Sequence, residues 1–125
     1  MRLLLDTHTL LWVIDAPERL SPAARDAISD NDNEAFVSVA SIWELAIKAA
    51  LGKAILPAEL EKSLEQRGYQ KLGISFAHAM RAGRLPMHHR DPFDRMLIAQ
   101  ALCEELTLVT GDEQFAVYGV AILKA

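Results

Sequence analysis

Arg2-Leu3-Leu4-Leu5-Asp6-Thr7 is the stretch from which the fold can be read. A short, unbroken apolar run closed by an acid is how a strand reads when both faces of its sheet are covered. A strand with one wet face would alternate instead. Leu10, Leu11, Val13 and Ile14 follow at helical spacing, and Pro17 stops that helix. Ser21-Pro22 opens a second helix to about Ile28, and Ala35 to Val39 is a second strand. Ser41-Ile42-Trp43-Glu44 has the Ser-x-x-Glu spacing of a capping box, starting a helix that stops at Gly52. Pro57 to about Gln66 reads as helix, Lys71 to Ile74 as a weak strand, and Phe76 to Ala82 as a short helix behind Ser75. A helix from Asp91 to about Glu105 precedes a strand at Thr107 to Thr110, a turn at Gly111-Asp112 and a last strand at Val120 to Ile122. Strands separated by helices predict a parallel sheet with right-handed crossovers, hence an α/β fold built as a three-layer α/β/α sandwich.

Composition sets the bounds around that pattern. The 125 residues are expected to form one domain, residues 1–125, able to bury a core without disulfides or structural metal. Leu3 to Leu5 is too short for a signal segment or a membrane span, and the single Cys103 cannot pair within the chain; a reducing cytoplasm without membrane attachment is expected. With 17 acids against 13 bases the net charge is −4, which excludes indiscriminate nucleic-acid binding over the whole surface. Any polyanion must be held locally. The segment from His78 to Arg90 offers a place, with Arg81, Arg84, Arg90, His88 and His89 and no acid; its other reading is a solvated basic loop.

That basic segment runs into Asp91-Pro92-Phe93-Asp94. Asp91 suits the N-cap and Pro92 the first helical position, where its missing N–H costs nothing. Asp94 then falls in the first turn, above Ile98 and Ala101 on the same face, so an acid tops a row that belongs in a core. In a parallel sheet all strand C-termini share one edge, and ligands bind there where strand order reverses. Asp6, Glu44, Asp94 and Asp112 are all expected at that edge. Each alone could serve as a cap: Asp6 for the first helix, Glu44 in the box with Ser41, Asp94 opposite Asp91, Asp112 for the turn before Phe115. Together they need more than capping, because converging carboxylates repel by about 1 to 4 kcal/mol per pair. A hard divalent cation, Mg²⁺ or Mn²⁺, removes that repulsion, whereas zinc would call for clustered His or Cys. Such an ion activates water and stabilises a phosphodiester transition state without a Ser, Cys or His nucleophile, which points to a nuclease.

Leu3-Leu4-Leu5-Asp6-Thr7, Ser38-Val39-Ala40-Ser41-Ile42-Trp43-Glu44, His89-Arg90-Asp91-Pro92-Phe93-Asp94 and Leu108-Val109-Thr110-Gly111-Asp112 together resemble a PIN-domain ribonuclease of the VapC toxin type. The resemblance spans nearly the whole chain. It implies a five-stranded sheet, metal-dependent endonucleolytic cleavage of RNA, a homodimer, and a cognate antitoxin that blocks the site. It maps the metal-binding and catalytic acids onto Asp6, Glu44, Asp94 and Asp112, with Asp91 a helix cap rather than a ligand. Thr7, Lys48, Arg84, Arg90 and Thr110 are candidate substrate-binding residues; Thr110 would orient a ligand, and Lys48, one turn after Glu44, is also placed to pair with it. Three other readings compete: a receiver-like regulatory domain, a metal-independent nuclease using His88 and His89, and a non-catalytic nucleic-acid-binding or interaction module. The first wants a second acid beside Asp6, where Thr7 stands; the second needs neighbouring side chains that an extended chain points apart.

Overall fold

A computed structural model describes all residues, 1–125. Five strands, β1 (Arg2–Leu5), β2 (Glu34–Ser38), β3 (Gln70–Leu72), β4 (Thr107–Thr110) and β5 (Ile122–Lys124), form one sheet in the order β3-β2-β1-β4-β5. Every pairing is parallel, with Leu4 of β1 opposite Phe36 of β2 on one side and Leu108 of β4 on the other. Six α-helices, α1 (Thr7–Asp15), α2 (Pro22–Ser29), α3 (Val39–Ala50), α4 (Leu60–Gln66), α5 (Phe76–Arg84) and α6 (Pro92–Glu104), connect the strands, with short 3₁₀ turns at Pro17–Arg19 and Glu113–Tyr118. This is the expected α/β architecture with a central parallel five-stranded sheet.

The leucines of β1 show why the strand is apolar throughout. Leu3 and Leu5 enter one core with Leu10, Val13, Val37 and Leu45, while Leu4 enters the other with Leu97, Ile98 and Leu108. All three are fully buried, each contributing about 1.5 to 3 kcal/mol of transfer free energy. The first core lies under α1 to α4 and the second under α5 and α6. Because the chain moves outward from β1 to β2 and β3 and then returns to place β4 on β1's other side, strand order reverses at the C-terminal ends of β1 and β4. Asp6 and Asp112 leave those ends. No helix is long and apolar enough to cross a membrane.

Several local expectations shift. The capping box at Ser41 is wrong: β2 ends at Ser38, paired with Leu72, and the Ser38 hydroxyl accepts from the Ala40 N–H at 3.0 Å, so α3 starts at Val39. Ser41 and Glu44 therefore lie inside the helix, and Ser41 is fully buried beside Thr7. Helix α4 begins at Leu60 rather than Pro57, with no side-chain cap at Glu59. The last strand is Ile122–Lys124 rather than Val120 to Ile122, because the 3₁₀ turn and the left-handed Gly119 carry the chain under the sheet edge and bury Val120 in the second core.

Candidate active site

The switch point opens into a cleft of about 440 Å³ rimmed by Asp6, Glu44, Asp91, Asp94 and Asp112. Each acid is delivered by a different local device. Asp6 ends β1 and caps α1, its Oδ1 accepting from the Thr9 N–H at 2.8 Å. Asp112 follows β4 and caps the 3₁₀ turn, its Oδ1 accepting from Gln114 N–H at 2.9 Å. Asp91 caps α6 with one oxygen, Oδ1, which takes both the Phe93 and Asp94 N–H groups. Capping thus occupies Oδ1 in all three and gives Oδ2 no backbone donor, so a cap and a ligand role are compatible in one side chain.

Glu44 and Asp94 do not cap. Glu44 reaches the cleft from α3, its Oε1 accepting from the Thr7 hydroxyl at 2.7 Å and its Oε2 lying 3.2 Å from Lys48 Nζ. Asp94 has no hydrogen-bond donor and no basic partner within 4 Å. Burial first, then the charges of Asp91, Glu44 and Asp6, push its carboxyl from 3.8 to about 7, against an opposing pull from His89. An acid without a donor, half-buried among other acids, is electrostatically unsatisfied, and a cation is the group that would satisfy it. All donors facing the cleft from these acids are oxygens, the set a hard cation takes. As they stand in the structure, no three His, Cys, Asp or Glu side chains lie close enough together to hold a metal ion.

Thr7 and Lys48 line the same cleft, so six of the expected residues come together with Asp91 beside them. Three do not. Thr110 is fully buried; its hydroxyl accepts from the Asp112 N–H at 3.1 Å, so it shapes the Asp112 turn and cannot touch a substrate from solvent. Arg84 faces a separate cleft, and Arg90 is exposed next to Asp91, outside the lining of the acid cleft.

Two supporting residues were not singled out in the sequence as such. His89 packs edge-on against Phe115 with ring centroids 4.8 Å apart, and its Nε2 lies 3.5 Å from Asp112 Oδ2, while His88 stays exposed against Tyr118. Arg95, the residue after Asp94, is buried and has no acidic partner within 4 Å. Its guanidinium donates to the carbonyls of Ala82, Leu85, Pro86 and His89 at 2.8 to 3.1 Å. It ties the end of α5 and the following loop to the helix that presents Asp94. An arginine in an otherwise apolar helix was the available signal, and its partners are backbone atoms that no side-chain pattern reveals.

The PIN-domain family model matches residues 3–121. Ribonuclease VapC22 of Mycobacterium tuberculosis is 35% identical over 114 residues, covering 89% of this chain and 87% of that protein. Among solved structures, DNA-bound VapBC from Salmonella typhimurium has a TM-score of 0.72 at 19% identity, covering 98% of this chain and 97% of the other. VapBC2 from Rickettsia felis, bound to a DNA fragment from its promoter, gives 0.69 at 16% identity and 98% coverage of both chains. FitAcB from Neisseria gonorrhoeae gives 0.60 at 23% identity, covering 98% and 96%. At such identities these likenesses speak to the fold.

Proposed function

The chain belongs to the PIN-domain family, and from that premise we propose that it is an endoribonuclease acting as the toxin of a toxin-antitoxin pair, with Asp6, Glu44, Asp94 and Asp112 holding Mg²⁺ or Mn²⁺. The observation that carries the reading is the convergence of these acids on one cleft at the switch point, with Asp94 left unneutralised there. A bound divalent ion would supply activated water and offset charge building on the scissile phosphate. The chain's own residues prepare that chemistry. Thr7 fixes one Glu44 oxygen, Lys48 lies against the other and adds positive charge beside the phosphate path, and Thr110 holds the turn bearing Asp112. Hydrolysis joins a water oxygen to phosphorus, breaks the bond to the leaving oxygen and returns a proton to it, so no covalent enzyme intermediate is needed.

The relative named as a ribonuclease supports RNA as substrate, and the neighbouring toxin-antitoxin complexes support an antitoxin partner. Exposed apolar side chains, Trp43 on α3 and Phe76 at the start of α5, give surface that a protein partner or a second copy of the chain can cover. Cleavage of a structured RNA pool by the purified chain, abolished by EDTA and restored by Mn²⁺, is the expected result. Cleavage that survives exhaustive chelation would overturn the metal-dependent reading.

A further inference from the structure

The 3₁₀ turn Glu113–Tyr118 has a cleft on each side. Asp112 and Phe115 face the acid cleft, while Val117 and Tyr118 face a second one, about 220 Å³, closed by Arg81 and Arg84 of α5 and by Pro86. This second cleft has no acid in its lining. Arg81 and Arg84 are exposed, and neither has an acidic partner within 4 Å, in a chain where acids outnumber bases. Two unpaired guanidinium groups lining an acid-free cleft are a local seat for anions on a chain of net charge −4.

The floor has a different chemistry. Tyr118 is half-buried and lines the cleft, its ring packed against His88 at 5.2 Å and His89 at 5.6 Å between centroids, and Val117 is 59% exposed. Apolar and aromatic surface flanked by unpaired arginines is what an unstacked nucleotide requires, a face for its base and donors for its phosphate. The cleft is also mechanically joined to the acids. The Tyr118 hydroxyl accepts from the His89 N–H at 2.7 Å, and the His89 ring reaches to 3.5 Å from Asp112.

We propose that this cleft is a subsite for a single-stranded RNA nucleotide flanking the cleavage point, with Arg81 and Arg84 on phosphates and Tyr118 under a base. The assignment rests on the ribonuclease reading above and names where its substrate extends. It selects single strands, because a base held in a duplex stack cannot enter.

The full chain is titrated in EDTA, to separate binding from metal-dependent cutting, with a fluorescently labelled ten-nucleotide single-stranded RNA, and binding is read by anisotropy at several salt concentrations. Arg81→Gln with Arg84→Gln should weaken binding about tenfold and lower the salt slope by about 1.4, roughly 0.7 for each phosphate no longer neutralised. These exposed changes leave the fold intact. Tyr118→Leu should weaken binding about five- to tenfold, while Tyr118→Phe, which keeps the ring, stays within about twofold. RNA carrying 4-thiouridine should photocrosslink to Tyr118 or His88 in the unaltered chain, a readout independent of any variant. Unchanged affinity and slope in the arginine double variant, with RNA still cut in Mn²⁺, would overturn the subsite and leave the ribonuclease reading standing. Loss with the arginines alone, without effect of Tyr118→Leu and without crosslink, would overturn the base seat. An unaltered chain that neither binds nor cuts RNA would remove both readings.

Discussion

Replacing Asp94 by Asn isolates the charge that the acid cleft leaves unsatisfied. In the folded chain the carboxyl is raised from 3.8 to about 7, chiefly by burial and then by Asp91, Glu44 and Asp6. Three pKa units at 1.36 kcal/mol each would be about 4 kcal/mol for a fully enclosed group; Asp94 is half-buried, and solvent screening reduces this to about 2 kcal/mol. A raised pKa means that the folded chain holds the proton more tightly than the unfolded chain does. The stability tied to that proton is therefore complete below about pH 4 and is lost as pH rises through about 7. Asn has no proton to lose. Asp94→Asn should match the unaltered protein near pH 4, gain on it between pH 5 and 7, and lead by about 2 kcal/mol at pH 8, or about 6 to 10 °C in Tm. Thermal or urea unfolding in EDTA across that range measures it. In saturating Mn²⁺ the advantage should shrink or reverse, since a neutral amide is a poor ligand for a hard cation. A gain independent of pH, or a loss at pH 8, would refute the electrostatic account of the cleft.

Asp91 should behave differently, because Asn caps a helix about as well as Asp: Asp91→Ala is expected to cost about 0.5 to 2 kcal/mol and Asp91→Asn almost nothing, and equal losses in both would show that charge rather than capping matters there. Arg95→Met should destabilise by about 3 kcal/mol, because two buried and two partly buried carbonyls lose their charged donor. Arg95→Lys should recover only part of that, since a single ammonium cannot fork to four acceptors; full recovery in chemical denaturation would count against the clamp.

The periodicity and end signals of the sequence are local, and where the physics is local they decided the structure. The apolar run at Leu3 to Leu5 could be stable only inside a doubly covered sheet, and Asp91-Pro92 could only begin a helix, because a cap acts on N–H groups two or three residues away. Asp6, Asp94 and Asp112 were legible for the same reason, each lying next to a strand end or helix start, whereas Glu44 sits inside α3, whose cap is Ser38 and not Ser41. What lay beyond the sequence depended on atoms distant along the chain. Ser38 rather than Ser41 starts α3 because β2 ends where β3 stops pairing with it and because Ser41 is wanted beside Thr7. Thr110 turned inward because the edge of β4 is buried there, and Arg84 turned to a second cleft because α5 packs on α6 with Arg95 holding its end. The raised pKa of Asp94 belongs to no stretch of sequence at all. It arises only when β1, α3 and α6 bring Asp6, Glu44 and Asp91 around it in a partly desolvated cleft, since both burial and Coulomb repulsion depend on distances that the fold alone sets.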